Sequence, residues 1–210
     1  MPLKQEELTT ISTRTLAHYE HHAADFWAGT CHHDVSQNID ALLRHITGEA
    51  PYRLLDFGCG PGRDLKALSA LGHHVTGLDG SPSFACMARE HSGCDVLVQD
   101  FLALDLPASH FDGIFANASL FHVPTQELPH VLHTLRHALR PGGVLFTSNP
   151  HGGDEEGWNG ERYAAYLSLA SWRAFLSAAG FTELEHYYRP PGLPRAQQPW
   201  LASVWRKPAR

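Results

Sequence analysis

One stretch limits what this chain can become: Leu54-Leu55-Asp56-Phe57-Gly58-Cys59-Gly60-Pro61-Gly62-Arg63-Asp64-Leu65. Leu54, Leu55 and Phe57 read as a buried strand, and Leu65, Leu68 and Leu71 recur at the spacing of a helix with one apolar face. Gly58, Gly60 and Gly62 lie between them, where residues without a Cβ allow a tight turn and let a ligand approach the main chain. The free N–H groups and positive dipole end of a helix starting there favour anionic or electron-rich ligand atoms. The pattern predicts an α/β domain that binds its ligand at a strand-to-helix turn.

His74-Val75-Thr76-Gly77-Leu78-Asp79 follows as a second strand ending in an acid. A carboxylate there can accept hydrogen bonds from the two ribose hydroxyls of an adenosine-containing cofactor. Nicotinamide-binding folds use G-x-G-x-x-G, and the sixth position here is Arg63 rather than glycine. The G-x-G-x-G spacing, with Asp56 two residues before it, instead resembles motif I of the class I S-adenosylmethionine-dependent methyltransferases. Three later stretches resemble that superfamily in the same order: Asp95–Phe101, the Phe111–Pro124 block with its FD start and LFHV loop (motif IV), and LRPGG at Leu139–Gly143. The likeness covers roughly residues 50–150 and is closest to small-molecule methyltransferases. Asn117-Ala118-Ser119-Leu120 departs from the Asn/Asp-Pro-Pro-Tyr/Phe of DNA and protein-amide methyltransferases.

The resemblance implies a Rossmann-like, doubly wound, seven-stranded sheet with an antiparallel last strand. Residues 1–50 would form a helical lid segment and residues 51–210 the cofactor-binding domain, compact as one unit. It implies S-adenosyl-L-methionine as cofactor, S-adenosyl-L-homocysteine as product, and a cofactor-binding set of Tyr19, Trp27, Asp56, Gly58, Cys59, Gly60, Gly62, Arg63, Asp79, Gly80, Ser81, Asp100, Phe101, Asn117 and Ala118. In that set the glycines hold the methionine end, Asp79 the ribose, and Asp100 and Phe101 the adenine, with Tyr19, Phe26 and Trp27 as lid contacts. Asn117, Ser119 and His122 fall at the carboxyl end of the fourth strand, where ligands of open α/β sheets sit. His122 is the general-base candidate, because imidazole takes a proton near neutral pH.

The remaining features set bounds. At 210 residues, 43% hydrophobic and 18% charged, the chain suits one soluble α/β domain. A net charge of -6 argues against a nucleic-acid partner. The polar start Met1–Glu7 lacks the apolar core of a signal peptide, and no run has the length of a membrane helix. A cytoplasmic monomer or homodimer without membrane association is expected. Cys31, Cys59, Cys86 and Cys94 form no C-x-x-C pair and read as free thiols.

Helices are predicted before residue 50, with Asp34 or Ser36 capping the second, over Ser81–His91 with Ser81 as cap, over Gln126–Arg140 and over Ser171–Ala179. His130, His133 and His137 lie on the polar face of the Gln126–Arg140 helix and lack a carboxylate or cysteine partner, so no metal site is expected. Strands are expected over Asp95–Phe101, Leu184–Tyr188 and Trp200–Trp205, the last two forming an antiparallel hairpin. The glycine-rich stretch Asn149–Tyr166 reads as a loop on the active-site side, with Trp158, Arg162 and Tyr163 as candidate substrate contacts. The functional expectation is methyl transfer to a small molecule. The acceptor is either a nitrogen, oxygen or carboxylate group or a softer thiol or chalcogen. A non-catalytic S-adenosylmethionine-binding module and a nicotinamide-dependent oxidoreductase are the alternatives.

Overall fold

The run Leu54–Phe57 forms the centre of a sheet, in strand β1 (Arg53–Phe57). The computed structural model describes residues 2–209; Met1, first residue of the polar start, and Arg210 lie outside them. From β1 the chain alternates through α4 (Arg63–Ala70), β2 (His74–Asp79), α5 (Pro82–Ser92), β3 (Val96–Val98), β4 (Phe111–Asn117), α6 (Leu128–Ala138) and β5 (Leu139–Pro150). Preceding them are α1 (Gln5–His21), α2 (Ala23–Thr30) and α3 (Ser36–Leu43). After β5 come β6 (Glu155–Asn159), β7 (Arg162–Tyr166), α7 (Leu169–Ala178), β8 (Thr182–Arg189) and β9 (Trp200–Arg206). The seven-stranded sheet has the order β3-β2-β1-β4-β5-β9-β8. Neighbours from β3 to β5 pair in parallel, and β9, last in the chain, runs antiparallel to both β5 and β8. The seven-stranded α/β sheet with an antiparallel last strand is the predicted architecture.

Both faces of the sheet are covered, so its strands read as apolar runs whose side chains alternate between two cores. Leu55, Phe57, Ile114, Ala116, Leu145, Leu201 and Trp205 pack with α6 and α7. Leu54, Phe115, Val144, Phe146, Ala202 and Val204 pack with α3, α4 and α5 through residues such as Leu42, Leu65 and Ala88. Thus α3 belongs to a face of the sheet, whereas α1 and α2 lie across its carboxyl edge.

Local differences from the sequence reading have physical causes. Ser81 does cap α5, its Oγ accepting the Phe84 N–H at 3.1 Å. The third strand is shorter than Asp95–Phe101, because the Gln99 side chain turns back to the Asp105 backbone and Asp100 takes the Leu102 N–H. Helix α6 stops at Ala138, and β5 begins at Leu139, which pairs with Phe111 before the regular register resumes at Gly113 and Val144. The stretch read as a loop over 149–166 is largely a two-stranded hairpin, β6–β7. It packs on α1, where Tyr163 N–H donates to Thr15 Oγ1 at 3.0 Å and the Arg14 guanidinium covers the Trp158 ring at 4.1 Å.

Candidate cofactor and acceptor site

The turn after β1 uses its glycines for different purposes. All three have positive φ. A Cβ on Gly58 would collide with Ser119, and one on Gly62 would come within 2.7 Å of the Ala88 backbone, so these two permit close packing. A Cβ on Gly60 would meet only Phe26 of α2, at 3.7 Å. Gly60 therefore presents bare backbone to the space beneath α1 and α2, which roof the carboxyl edge of the sheet.

That space is a cavity of about 630 Å³, within the range of sites for small ligands. It runs along the carboxyl edge of the sheet. At one end are Gly58, Cys59, Gly60, Asp79, Gly80, Asp100 and Phe101; at its centre Arg63, Asn117, Ala118, Ser119 and His122; at the other end Phe121, Arg189 and Trp200. Tyr19, Phe26 and Trp27 of α1 and α2 line it from above. The structure thus brings together most residues chosen from the sequence. Asp56, Gly62 and Ser81 are not in its wall: they hold the turn and the start of α5 from behind. Of the hairpin residues only Arg162 reaches the cavity; Trp158 is exposed beside Arg14 and Tyr163 is buried.

Asp79 closes β2 and is 8% exposed. Its Oδ2 accepts the Gly60 N–H and its Oδ1 the Ser81 N–H, each at 2.9 Å. These bonds fix the carboxylate at the turn, and each oxygen keeps a lone pair for a ligand hydroxyl. Burial raises its pKa to about 6 in spite of those bonds. Behind it, burial, reinforced by the neighbouring Asp64, raises the Asp56 carboxyl well above the ordinary carboxylate range, and Asp56 Oδ2 has no partner among the described residues.

Arg63, which stands where a nicotinamide fingerprint has glycine, forms a latch. It holds Asp64 through two bonds, Nε–Oδ1 at 2.6 Å and Nη2–Oδ2 at 2.9 Å, and its Nη1 donates to the Thr30 carbonyl at the end of α2 at 2.9 Å. Asp64 Oδ2 also accepts Asn117 Nδ2, whose own Oδ1 accepts Asn38 Nδ2 at 3.0 Å. This polar chain ties roof, glycine turn, β4 end and α3 together. The roof is pinned again by Glu20 of α1, whose carboxylate accepts Ser81 Oγ at 2.6 Å, Ser83 N at 3.0 Å and Ser83 Oγ. Leu16 fills the space over Gly80, and Ser12 Oγ donates to Asp100.

His122, at the end of a short 3-10 turn (Leu120–His122), spends both ring nitrogens inside the protein. Nδ1 lies 2.7 Å from the Tyr163 carbonyl, which only accepts, so Nδ1 carries the proton. Nε2 then accepts the Tyr19 hydroxyl at 2.7 Å, and Arg162 Nη1 donates to that hydroxyl oxygen at 3.2 Å. Burial lowers the imidazole pKa to about 4, so it is neutral at physiological pH.

Residues 54–143 match the model of a family described as "Methyltransferase domain". That segment is similar to methyltransferase domains. The ubiquinone biosynthesis O-methyltransferase of Xylella fastidiosa is 39% identical over 117 residues, covering 50% of this chain and 46% of that protein. A malonyl-[acyl-carrier protein] O-methyltransferase of Enterobacter lignolyticus is 29% identical over 145 residues, covering 69% and 53%. The chain therefore spans about half the length of these curated relatives. In fold, it is similar to Burkholderia thailandensis 1,6-didemethyltoxoflavin-N1-methyltransferase, a structure with bound 1,6-didemethyltoxoflavin and S-adenosylhomocysteine. The TM-score is 0.77 at 24% identity, covering 99% of this chain and 92% of that one.

The residues of this site suit S-adenosylmethionine. Gly60 offers a backbone cradle that a side chain would fill, and Asp79 offers a fixed carboxylate with lone pairs free. Several residues of this site escaped the sequence reading. Ser12 and Arg189 line the cavity, while Glu20 and Asn38 brace its wall through Ser81, Ser83 and Asn117; all four sit in segments that carry no motif. Among the described residues, no three His, Cys, Asp or Glu side chains converge as a metal-binding group.

Proposed function

We propose that this chain transfers a methyl group from S-adenosylmethionine to a small-molecule acceptor. One observation carries the reading: a single roofed cavity joins the glycine turn and Asp79 to the Asn117–His122 loop. When bound, S-adenosylmethionine supplies an electrophilic methyl group on a sulfonium. The backbone at Gly60 would hold the methionine end, Asp79 the ribose hydroxyls, and Asp100 with Phe101 the adenine. The family match and the relatives' activities support this reading.

In it, α1 and α2 exclude water and restrict the acceptor to one approach, which is where most of the rate gain in an in-line displacement originates. Tyr19, Phe26 and Phe84 form an aromatic cluster with ring centroids 5.2–5.6 Å apart beneath that roof. The Tyr19 hydroxyl is the titratable group that faces the acceptor, and His122 acts through it, taking its proton when Tyr19 accepts one from the acceptor. His122 is thus proposed as a positioning and relay residue. The lid segment, the small-molecule substrate and the roles assigned to individual residues belong to this proposal.

Calorimetric titration with S-adenosylmethionine and S-adenosylhomocysteine, with NADH as control, tests the cofactor. Micromolar binding of the first two and none of the third is expected. NADH binding alone would overturn the reading. Transfer of a radiolabelled methyl group to any member of a small-molecule acceptor panel would separate an enzyme from a binding module.

A further inference from the structure

The charges in the cavity wall are sorted along the sheet. Asp100, Asp79 and Asp64 line it at the β3, β2 and β1 ends, Arg162 of β7 lines it beside Tyr19 and His122, and Arg189 lines it at the β8 end next to Asp34. Arg63, the other arginine of the wall, is neutralised by Asp64. Among the described residues neither Arg162 nor Arg189 has a carboxylate within 4 Å. Arg162 spends Nη1 on the Tyr19 hydroxyl. Arg189 spends Nη2 on the Asp34 backbone carbonyl at 3.0 Å, and its Nε is buried without a partner among the described residues.

The acid nearest Arg189 does not satisfy it. Hydrogen bonds from Ser36, and to a smaller extent the Arg189 charge, hold the Asp34 carboxyl below its ordinary pKa. Its Oδ1 is occupied by the Ser36 N–H. A guanidinium that lines a cavity with a buried donor unspent is a site for an anionic, planar acceptor group. Beside it the wall is aromatic. Trp200 is the cross-strand partner of Arg189, and Phe121 packs edge-on against Trp200 with centroids 6.3 Å apart. Phe121 in turn touches His122, which leads to Tyr19.

We propose that the β8–β9 end of the cavity is an acceptor subsite for a flat, aromatic or conjugated molecule bearing a carboxylate, held by Arg189 with its apolar body against Phe121 and Trp200. This rests on the methyltransferase reading of the cavity and deepens it. The Arg189 guanidinium also disfavours a cationic acceptor at this end, because the neighbouring Asp34 carboxylate is already held by Ser36.

The test uses three probes of matched shape, 2-naphthoate, 2-naphthamide and 2-naphthylmethylamine, titrated into the full chain saturated with S-adenosylhomocysteine. 2-Naphthoate is expected to bind at least about tenfold more tightly than the amide, and the amine more weakly than either, as a charge-assisted guanidinium pair predicts. Arg189→Gln should remove that preference, weakening 2-naphthoate about tenfold or more while amide and S-adenosylhomocysteine affinities hold. Arg189→Lys, which keeps the charge, should recover part of it and guards against a misfolded glutamine variant. Equal affinities for the three probes, preference for the amine, no 2-naphthoate binding, or a preference that survives in Arg189→Gln would each overturn the subsite. Absence of S-adenosylhomocysteine binding to the unmutated chain would instead overturn the cofactor reading beneath it.

Discussion

The Tyr19 hydroxyl donates to His122 Nε2 at 2.7 Å, joining the roof helix to the loop after β4 and leaving the imidazole no free nitrogen. Tyr19→Phe keeps the ring in the aromatic cluster but strands Nε2 in a buried setting. Leaving such an acceptor unpaired costs about 1–3 kcal/mol, read as a lowered melting temperature. If the hydroxyl is the proton acceptor, turnover of a methyl acceptor should fall about a hundredfold, the usual scale for a lost general base. S-adenosylhomocysteine affinity should stay within a few fold. Unchanged turnover would reduce the pair to a clasp between roof and loop.

With Asp79 proposed to hold the ribose, cofactor binding should depend on pH. Burial raises its pKa to about 6, so the folded, ligand-free chain holds a proton there that the unfolded chain has already released. This residue therefore stabilises the ligand-free fold more below pH 4 than above pH 6, as linkage requires. In the proposed site two ribose hydroxyls would donate to the ionised form, so affinity should be flat above about pH 7 and fall toward tenfold per unit below about pH 6. Calorimetry with S-adenosylhomocysteine between pH 5 and 8 measures it. Asp79→Asn should weaken binding and remove the slope; a slope that persists in the variant would assign it to another group.

The sheet was legible because both of its faces are buried, and apolar strands alternating with one-sided helices leave few other folds. The Ser81 cap and the β2 ends follow from local chemistry alone. The roof contacts were harder to read. Glu20 looks like an ordinary helix-surface acid in α1, yet it accepts three hydrogen bonds from the start of α5. Arg63 could be read as a departure from a glycine fingerprint, but its bond to the Thr30 carbonyl depends on where α2 ends. The β6–β7 hairpin was missed because the stretch Asn149–Tyr166 has four glycines, and polar residues where strands usually show apolar alternation. It is held by α1, through Thr15, Arg14 and the paired Glu161.

Gly58 and Gly60 should respond differently to the same substitution. Both have positive φ, which costs about 1–2 kcal/mol for alanine. In Gly58→Ala the new methyl group also collides with Ser119, at the packed junction of β1 with the motif IV loop. That variant should lose about 3 kcal/mol or more of stability, combining strain and overpacking. In Gly60→Ala the methyl group meets only Phe26 at 3.7 Å, so the chain should fold with a modest loss. Its defect should appear as weaker S-adenosylhomocysteine binding. Thermal melts paired with calorimetry separate the two, and intact cofactor affinity in Gly60→Ala would remove that backbone from the site.

The roof competes with the ligand at one point and supports it at another. Ser12 Oγ donates to Asp100, the acid proposed for the adenine amino group, so binding must break or share that bond. Ser12→Ala frees Asp100 and should tighten S-adenosylhomocysteine binding several-fold; weakened binding would make Ser12 itself a ligand contact. Glu20→Ala removes the carboxylate that anchors α1 to Ser81 and Ser83, at a cost of about 2 kcal/mol for charge-assisted hydrogen bonds. Because those bonds hold the roof rather than the sheet, hydrogen exchange should quicken in residues 8–20 while β1 and β4 keep their protection. Cofactor dissociation should quicken with it. If exchange rises equally in sheet and roof, α1 is part of the cooperative core, and the cavity cannot open by releasing it alone.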